Sequence, residues 1–141
     1  AVRLLEENQV QIKEVNVSHV GGNGRDSRAG VVVSTRDLYG WEELESELAG
    51  LLEGGVAFDH DLAAVSLIGE GLNRNNLALT ATLDLLRASD IPLAGVTTTS
   101  FRISLLVSRE RIQEAVQICH QRWIEEQAPL QEEHPVRTGE P

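Results

Sequence analysis

The stretch "LLRASDIPLAGVTTTS", Leu85–Ser100, decides the fold because an earlier part of the chain repeats its pattern. "LLEENQVQIKEVNVSH", Leu4–His19, aligns with it without a gap, 81 positions upstream. The leucine pair recurs, and the later apolar and hydroxyl positions of the two stretches also coincide: Val10 with Ile91, Ile12 with Leu93, Val15 with Val96 and Ser18 with Thr99. Internal repetition of this kind predicts two copies of one small structural unit.

The second copy has the clearer pattern of strands and helices. "LAAVSLIGEGL" predicts an apolar strand and a glycine turn, and Asn75 or Asn76 then begins a helix over 77–89. "IPLAGVTT" and "FRISLLV" predict two strands with a tight connection. A final helix, with Ser108 as its cap, is predicted to bury four residues: Ile112, Val116, Cys119 and Trp123.

The first copy follows the same order of helix, strand, hairpin, strand and helix. Residues 1–9 resemble the end of a helix, residues 10–18 alternate as a strand, and Gly21–Gly30 predicts a mobile hairpin connection. "VVVST" predicts the next strand, a helix follows that ends at Gly54-Gly55, and "VAF" (56–58) predicts a short third strand. The spacing places four residues on the buried face of that helix: Trp41, Leu44, Leu48 and Leu51.

Strand, helix, strand, strand, helix, strand is the ferredoxin-like arrangement. The sequence therefore predicts an α+β protein of two βαββαβ units, each an antiparallel sheet with two helices on one face. We place the first unit at residues 1–60 and the second at 61–126. Residues 127–141 have three prolines and no periodicity, which predicts a flexible tail. Each unit is one strand short, and we expect the opening strand of the first to precede Ala1 in a longer polypeptide.

Composition narrows the classes of partner. The 141 residues carry a formal net charge of −10, which disfavours nucleic acid and anionic membrane surfaces. No apolar run approaches the roughly 18 residues of a membrane span. Cys119 is the only cysteine, which favours a reducing cytoplasm. Small molecules or other proteins are the expected partners.

Two stretches of the second copy could hold a small polar ligand. Thr97, Thr98 and Thr99 offer hydroxyls where a strand leaves the sheet, and Ser18 occupies the equivalent place in the first copy. The turn at Asn73–Asn76 comes directly before a helix, where backbone amides attract a carboxylate. Threonine also suits strands in its own right, and the asparagines also suit a plain capped turn. Leu77 could support the aliphatic part of a ligand or the core.

Enzymatic chemistry is the least favoured class. "GGNGRDSRAG" lacks the Gly-Lys-Ser/Thr ending of a phosphate-binding loop. No metal-like spacing joins Cys119 to the histidines, which are His19, His60, His120 and His134. No nucleophile and base pair is recognisable, so we expect neither a catalytic residue nor a metal or other cofactor.

"LAAVSLIGEGL", "IPLAGVTTTSFRISLLVS" and "RERIQEAVQICHQRW" together resemble the second ACT domain of an aspartokinase. That domain has a strand ending in a glycine turn, a helix, a strand closing in a "TSE"-type signature, and a helix with a late histidine. Thr97–Ser100 occupies the signature position and His120 the helix position. Residues 4–19 resemble the matching part of the first ACT domain. The resemblance covers roughly residues 1–126.

The resemblance implies feedback regulation. Aspartokinases phosphorylate the side-chain carboxyl of aspartate with ATP, and their ACT pairs bind lysine or threonine and join into homo-oligomers. A catalytic amino-acid-kinase domain would lie N-terminal to this chain. The effector-binding residues that the resemblance implies are Asn73, Arg74, Asn75, Asn76, Leu77, Thr97, Thr98, Thr99, Gln11, Ile12 and Ser18.

Three residues depart from the family pattern and leave the effector's identity open. Pro92 has no amide to offer a ligand, Ser100 replaces the usual glutamate, and Lys13 replaces an acidic residue. The alternative hypothesis is therefore an ACT pair that has lost its ligand and serves only in oligomerisation.

Overall fold

The computed structural model describes residues 1–20 and 26–126, and the chain divides into two compact units, Ala1–Phe58 and Asp59–Pro141. Both units are α+β, with antiparallel sheets and packed helices, as the sequence predicts. The predicted tail at 127–141 lies outside the described residues. No helix among the described residues is long and apolar enough to cross a membrane.

Over residues 1–20 and 26–58, the first unit has two helices and a two-stranded sheet. Helix α1 spans Val2–Glu7, strand β1 spans Gln11–Val20, strand β2 spans Asp26–Ser34, and helix α2 spans Trp41–Leu51. Strands β1 and β2 pair in antiparallel fashion. Both helices pack against the end of this two-stranded sheet that contains Ile12. The core between them consists of four buried residues: Leu5, Val10, Leu44 and Leu48.

Over its described residues, 59–126, the second unit has a three-stranded sheet with β5 at its centre. Its elements are β3 (Leu62–Ile68), α3 (Leu77–Ala88), β4 (Leu93–Thr98), β5 (Arg102–Ser108) and α4 (Ile112–His120), with a 3-10 turn before α4 and a π-helical turn after it. The strand order is β3-β5-β4 and both pairings are antiparallel. The β4–β5 hairpin and the β3–α3 turn therefore lie at the same end of the sheet.

Alternation along β5 determines which face of this sheet is covered. Ile103, Leu105 and Val107 are fully buried, and they face helices α3 and α4 together with Val65 of β3. Both helices thus pack on one face, as predicted. The buried hydroxyl of Thr82 donates to the Ala78 carbonyl at 2.7 Å and accepts from the Trp123 indole at 3.1 Å, so this core has no unpaired hydroxyl there.

Both sheets shift register at equivalent places. In β1 the shift lies between Ile12 and Glu14, and in β4 it lies between Leu93 and Gly95. The extra residues, Lys13 and Ala94, are 81 positions apart, which is the offset of the sequence repeat. A bulge turns the following side chains to the opposite face, which explains why the apolar alternation changes phase after Ile12.

Three predictions about the first unit need correction. Residues 56–58 form no strand; Phe58 instead packs its side chain on the core beside Leu44 and Leu48. Leu51 is 57% exposed, because α2 ends at this residue and the chain turns away through Gly54, whose φ is +76°. The hairpin connection is also shorter than predicted, since residues 26–30 belong to β2; residues 21–25 lie outside the described residues.

Two predictions about the last helix also need correction. Val116 is 47% exposed, because α4 packs through the small residues Ala115 and Cys119, four positions apart on one face. Ile112 and Trp123 are partly buried against the same core, as expected. Ser108 precedes the 3-10 turn, but its side chain makes no capping hydrogen bond; the Arg109 amide instead donates to the Asp61 carbonyl at 2.6 Å.

Candidate functional site

The turn from β3 to α3, with the first residue of α3, contains five of the eleven predicted effector residues. Gly71 has a φ of +70°, a left-handed conformation that favours glycine, and the Arg74 amide closes the turn by donating to the Gly71 carbonyl at 3.1 Å. The Leu77 amide donates to the Asn75 side chain at 3.3 Å, and α3 begins at Leu77 after the left-handed residue Asn76. The helix therefore begins at the predicted asparagines.

The exposed side chains of this turn determine what a ligand could contact. Arg74, Asn75 and Asn76 are exposed, and Leu77 is 66% exposed, so Leu77 is not a core residue. The N-terminus of a twelve-residue helix carries partial positive charge, and Arg74 adds a full one. This combination suits a carboxylate. The charged neighbours in these segments are Glu70 and Arg102.

The hydroxyl run lies along the end of β4 and in the hairpin that follows. Thr97 and Thr98 pair with Ser104 and Ile103 of β5, and the Thr99 amide donates to the Arg102 carbonyl at 2.8 Å. Thr97, Thr98, Thr99 and Ser100 are all exposed. These four side chains therefore lie on the surface of the unit and outside its core.

Asn73 joins the turn to the hairpin. Its side-chain amide Nδ2 donates to the backbone carbonyls of Thr99 and Arg102, the latter at 3.2 Å. The Gly69 amide adds a bond of 2.9 Å to the Phe101 carbonyl. The structure therefore brings two of the predicted site segments together, the asparagine turn and the threonine run.

Backbone groups complete this junction, and sequence analysis missed them. The carbonyls of Phe101 and Arg102 accept the bonds, and Gly69 supplies an amide. Every residue offers such a carbonyl, so no residue type could have signalled these partners.

The remaining predicted residues lie on β1 of the first unit. Gln11 is exposed and its side chain accepts a hydrogen bond of 2.6 Å from the Lys13 ammonium. Ile12 is half-buried against the first core, and Ser18 is exposed opposite Arg28. Ser18 lies seven positions beyond Gln11 along the strand, roughly 23 Å, so the two cannot contact one small ligand together.

Two of the departures from the family pattern lie at opposite ends of β4, and only Ser100 adjoins the threonine run. Pro92 and Ser100 are exposed, before and after β4. Lys13 is the extra residue of the β1 bulge. Within the described residues, no group of three histidine, cysteine or acidic side chains is placed to hold a metal ion.

A surface cavity of about 400 Å³ lies elsewhere in the second unit, along α4 and the π-helical turn. Ile112, Val116 and Gln117 contribute to its lining, and a His120–Glu125 pair at 3.4 Å lies at one end. One helical stretch provides the whole lining, so the cavity is an open groove. None of the predicted effector residues contributes to it.

Comparison with known proteins identifies the fold. No protein-family model and no curated protein matches this sequence. Solved structures do match. The regulatory subunit of aspartate kinase from Thermus thermophilus, in its ligand-free form, has a TM-score of 0.69 and 22% identity, over 86% of this chain and 80% of that one. The regulatory subunit from Thermus flavus has a TM-score of 0.66 and 22% identity, over 85% and 78%.

An aspartate kinase from Clostridium acetobutylicum also matches, with a TM-score of 0.69 and 16% identity over 88% of this chain. The match covers 28% of that longer protein. The two α+β units therefore have the ferredoxin-like fold that is expected of an ACT pair. More narrowly, the fold is that of the regulatory subunits of aspartate kinase, as the resemblance predicted.

Proposed function

We propose that this chain is the regulatory region of an aspartate kinase and binds a free amino acid, with lysine and threonine as the first candidates. The observation that carries the proposal is the fold, which the chain shares over most of its length with aspartate kinase regulatory subunits. The tandem repeat supports it, because both units have the same left-handed turn after their first described helix and the same bulge in the strand that follows. In this function the chain senses an end product of the pathway and passes that signal to a catalytic subunit or domain.

The turn and hairpin of the second unit support amino-acid binding. An amino acid carries an ammonium and a carboxylate, and both need fixed partners once removed from water. Arg74 and the amides before α3 suit the carboxylate, while the hydroxyls of Thr97, Thr98 and Thr99 can accept from the ammonium. Of the effector residues proposed in the first unit, Ser18 lies too far along β1 from Gln11 and Ile12 to share one ligand with them, so it belongs to a separate contact.

The proposed partners follow from this role. A catalytic amino-acid-kinase domain binds ATP and aspartate, and this chain associates with it and with further copies of itself. We place the protein in the cytoplasm, where its one cysteine remains reduced.

Isothermal titration calorimetry of the chain with L-lysine, L-threonine and L-methionine tests the proposal. We expect saturable binding of at least one of them and no binding of its D-enantiomer, since fixed hydrogen-bond partners distinguish the two. The isolated chain should form no aspartyl phosphate from ATP and aspartate. Absence of binding by every amino acid tested, or ATP-dependent phosphorylation by the pure chain, would contradict the proposal.

The second candidate function is oligomerisation without a ligand. Two observations favour it. The Lys13 ammonium donates a hydrogen bond to the Gln11 side-chain oxygen, which a ligand would otherwise contact, and Pro92 has no backbone N–H to donate beside β4. Negative calorimetry together with a stable oligomer in light scattering would support this alternative.

A further inference from the structure

Three hydrogen bonds fasten the β4–β5 hairpin to the β3–α3 turn. One joins backbone to backbone, from the Gly69 amide to the Phe101 carbonyl at 2.9 Å. The other two come from the single Nδ2 group of Asn73 and reach the carbonyls of Thr99 and Arg102. We call these two bonds the Asn73 clasp. They connect residues 26 and 29 positions apart, so they hold two segments that the chain itself leaves separate.

We propose that Asn73 is a positioning residue that fixes the hydroxyl-bearing hairpin against the helix N-terminus, and that it does not contact the effector. Both hydrogens of its amide are engaged by the two carbonyls. Its Oδ1 is buried and accepts no hydrogen bond from the described residues. No polar atom of this side chain is left facing solvent for a ligand.

The chemistry of asparagine suits this role. A primary amide offers two donors in one plane, so it can bridge two neighbouring carbonyls. Serine offers one donor and an ionised aspartate offers none. The next three residues of the turn, Arg74, Asn75 and Asn76, are exposed, whereas Asn73 is half-buried. The half-buried Asn73 therefore fixes the geometry of the turn, and the three exposed residues that follow it can contact a ligand.

The clasp affects affinity through preorganisation, a statement that rests on the proposed function. A ligand that contacts both the turn and the threonines would otherwise have to order the hairpin on binding. With the two Asn73 hydrogen bonds formed, Thr99 is already held next to the β3–α3 turn. The entropy of ordering the hairpin is therefore lost on folding and not again on binding.

Amide hydrogen exchange tests the clasp without any ligand. In Asn73→Ala we expect the Thr99 and Gly69 amides to exchange about tenfold faster or more, because the hairpin opens locally. The core amide of Leu105 should not change. Asn75→Ala is the matched control, since it removes an asparagine of the same turn that makes no bond to the hairpin. Equal exchange at Thr99 and Gly69 in the two variants would overturn the proposal.

The variant Asn73→Asp should make the hydrogen-exchange protection of the hairpin depend on pH, which a simple loss of packing would not do. The introduced carboxylate faces two carbonyls, and only its protonated form can donate to one of them, so we expect its pKa to lie above the ordinary value of about 3.9. The folded state then binds a proton more tightly than the unfolded state. Protection of Thr99 should therefore recover as the pH falls through that pKa, and Asn73→Ala should show no such recovery.

The charged side chains of the two segments, Glu70, Arg74 and Arg102, are exposed, and salt screens them. The pH series is therefore measured at high ionic strength. A pH-independent Asn73→Asp variant would contradict the donor role of this side chain.

Calorimetry with L-lysine and L-threonine tests whether Asn73 affects the affinity for an effector. If either binds the unmodified chain, Asn73→Ala should weaken it by about tenfold, and Asn73→Gln, which retains the two donors, should restore part of the affinity. Unchanged affinity in Asn73→Ala would overturn the positioning role. If none of L-lysine, L-threonine and L-methionine binds the unmodified chain, the proposed function is contradicted, and hydrogen exchange alone tests the clasp.

Discussion

Gln9 and Asp90, 81 positions apart, have the same left-handed backbone conformation, with φ values of +56° and +53°. Each follows a helix end at which two amides return to the last helical turn. In the first unit the Val10 amide donates to the Leu5 carbonyl at 2.9 Å, and in the second the Ile91 amide donates to the Leu86 carbonyl at 2.9 Å. This is the Schellman motif, and the two copies of the repeat therefore end their first helices in the same way.

The motif also explains why the repeat is visible in the sequence. Its hydrophobic contact joins the residue after the left-handed position to the helix, and all four residues concerned are buried: Leu5, Val10, Leu86 and Ile91. The motif therefore requires a leucine, then a polar turn, then an aliphatic residue at the same spacing in each copy, and this pattern is what the two sequences share.

Glycine at the left-handed position should stabilise the protein. A side chain with a Cβ is strained at positive φ, so we expect Gln9→Gly to raise the free energy of unfolding by about 0.5 to 1 kcal/mol. Gln9→Ala is the control, because it shortens the side chain but keeps the Cβ, and it should give no gain. Urea unfolding followed by circular dichroism measures both, and a lower midpoint for Gln9→Gly would contradict the prediction.

The sequence predicted those features that residue types encode. The repeat, the helix start at Asn76 and the burial of Cys119 depend on patterns of apolar, capping and turn residues, and the structure confirms them. The predicted burial of Val116 was wrong because helical spacing alone does not say which of two adjacent residues, Ala115 or Val116, faces the sheet. The Asn73 clasp was not predictable, since its acceptors are backbone carbonyls and its partners depend on how the hairpin meets the turn.

The threonine hydroxyls should contribute to effector affinity. If lysine or threonine binds, Thr98→Val or Thr99→Val should weaken it by about 1 to 3 kcal/mol, because a polar group of the ligand is left unpaired. Thr80→Val is the matched control, an exposed threonine within α3. Calorimetry measures all three variants. Unchanged affinity in both hairpin variants would move the site away from the hydroxyl run.

The thiol of Cys119 should be protected in the folded protein. Its side chain is 2% exposed, and desolvation by burial raises the pKa of the thiol above its ordinary value. The reactive thiolate is therefore scarce, and reagents reach it only after local opening. We expect iodoacetamide at pH 8 to alkylate the folded chain at least about 100-fold more slowly than the urea-unfolded chain. Comparable rates would show that the face of α4 carrying Cys119 is open to solvent.

The pKa of Glu114 should lie below its ordinary value. Its hydrogen bond from the Arg111 guanidinium, at 2.7 Å, lowers the pKa of the Glu114 carboxyl. Because the folded pKa is depressed, the associated stability is present above the unfolded pKa and is lost as the pH falls through the folded value. The contribution is small, since both groups are solvent-exposed. A carboxyl carbon NMR titration should show the Glu114 midpoint rising in Arg111→Gln; an identical midpoint would contradict the pairing.

Unpaired strand edges bear on the state of assembly. Within the described residues, both strands of the first sheet and the outer strands β3 and β4 of the second have a free edge. Several exposed apolar side chains lie on these strands: Val15, Val17, Val31, Ile68 and Val96. Such edges favour pairing with another chain unless charge or proline protects them.

We therefore predict a dimer or a higher even oligomer in which edges or helical faces of the units meet. Two-fold symmetry would make each contact occur twice, and an effector could then change the relative orientation of two domains. Light scattering over a concentration series measures the mass. At least one of the strand variants Val17→Lys and Val96→Lys should weaken the assembly, because a buried charge at the contact costs free energy, whereas Thr80→Lys on exposed α3 should not. A persistent mass of 15.4 kDa, that of a single chain, would mean that the edges are protected and that the chain is a monomer.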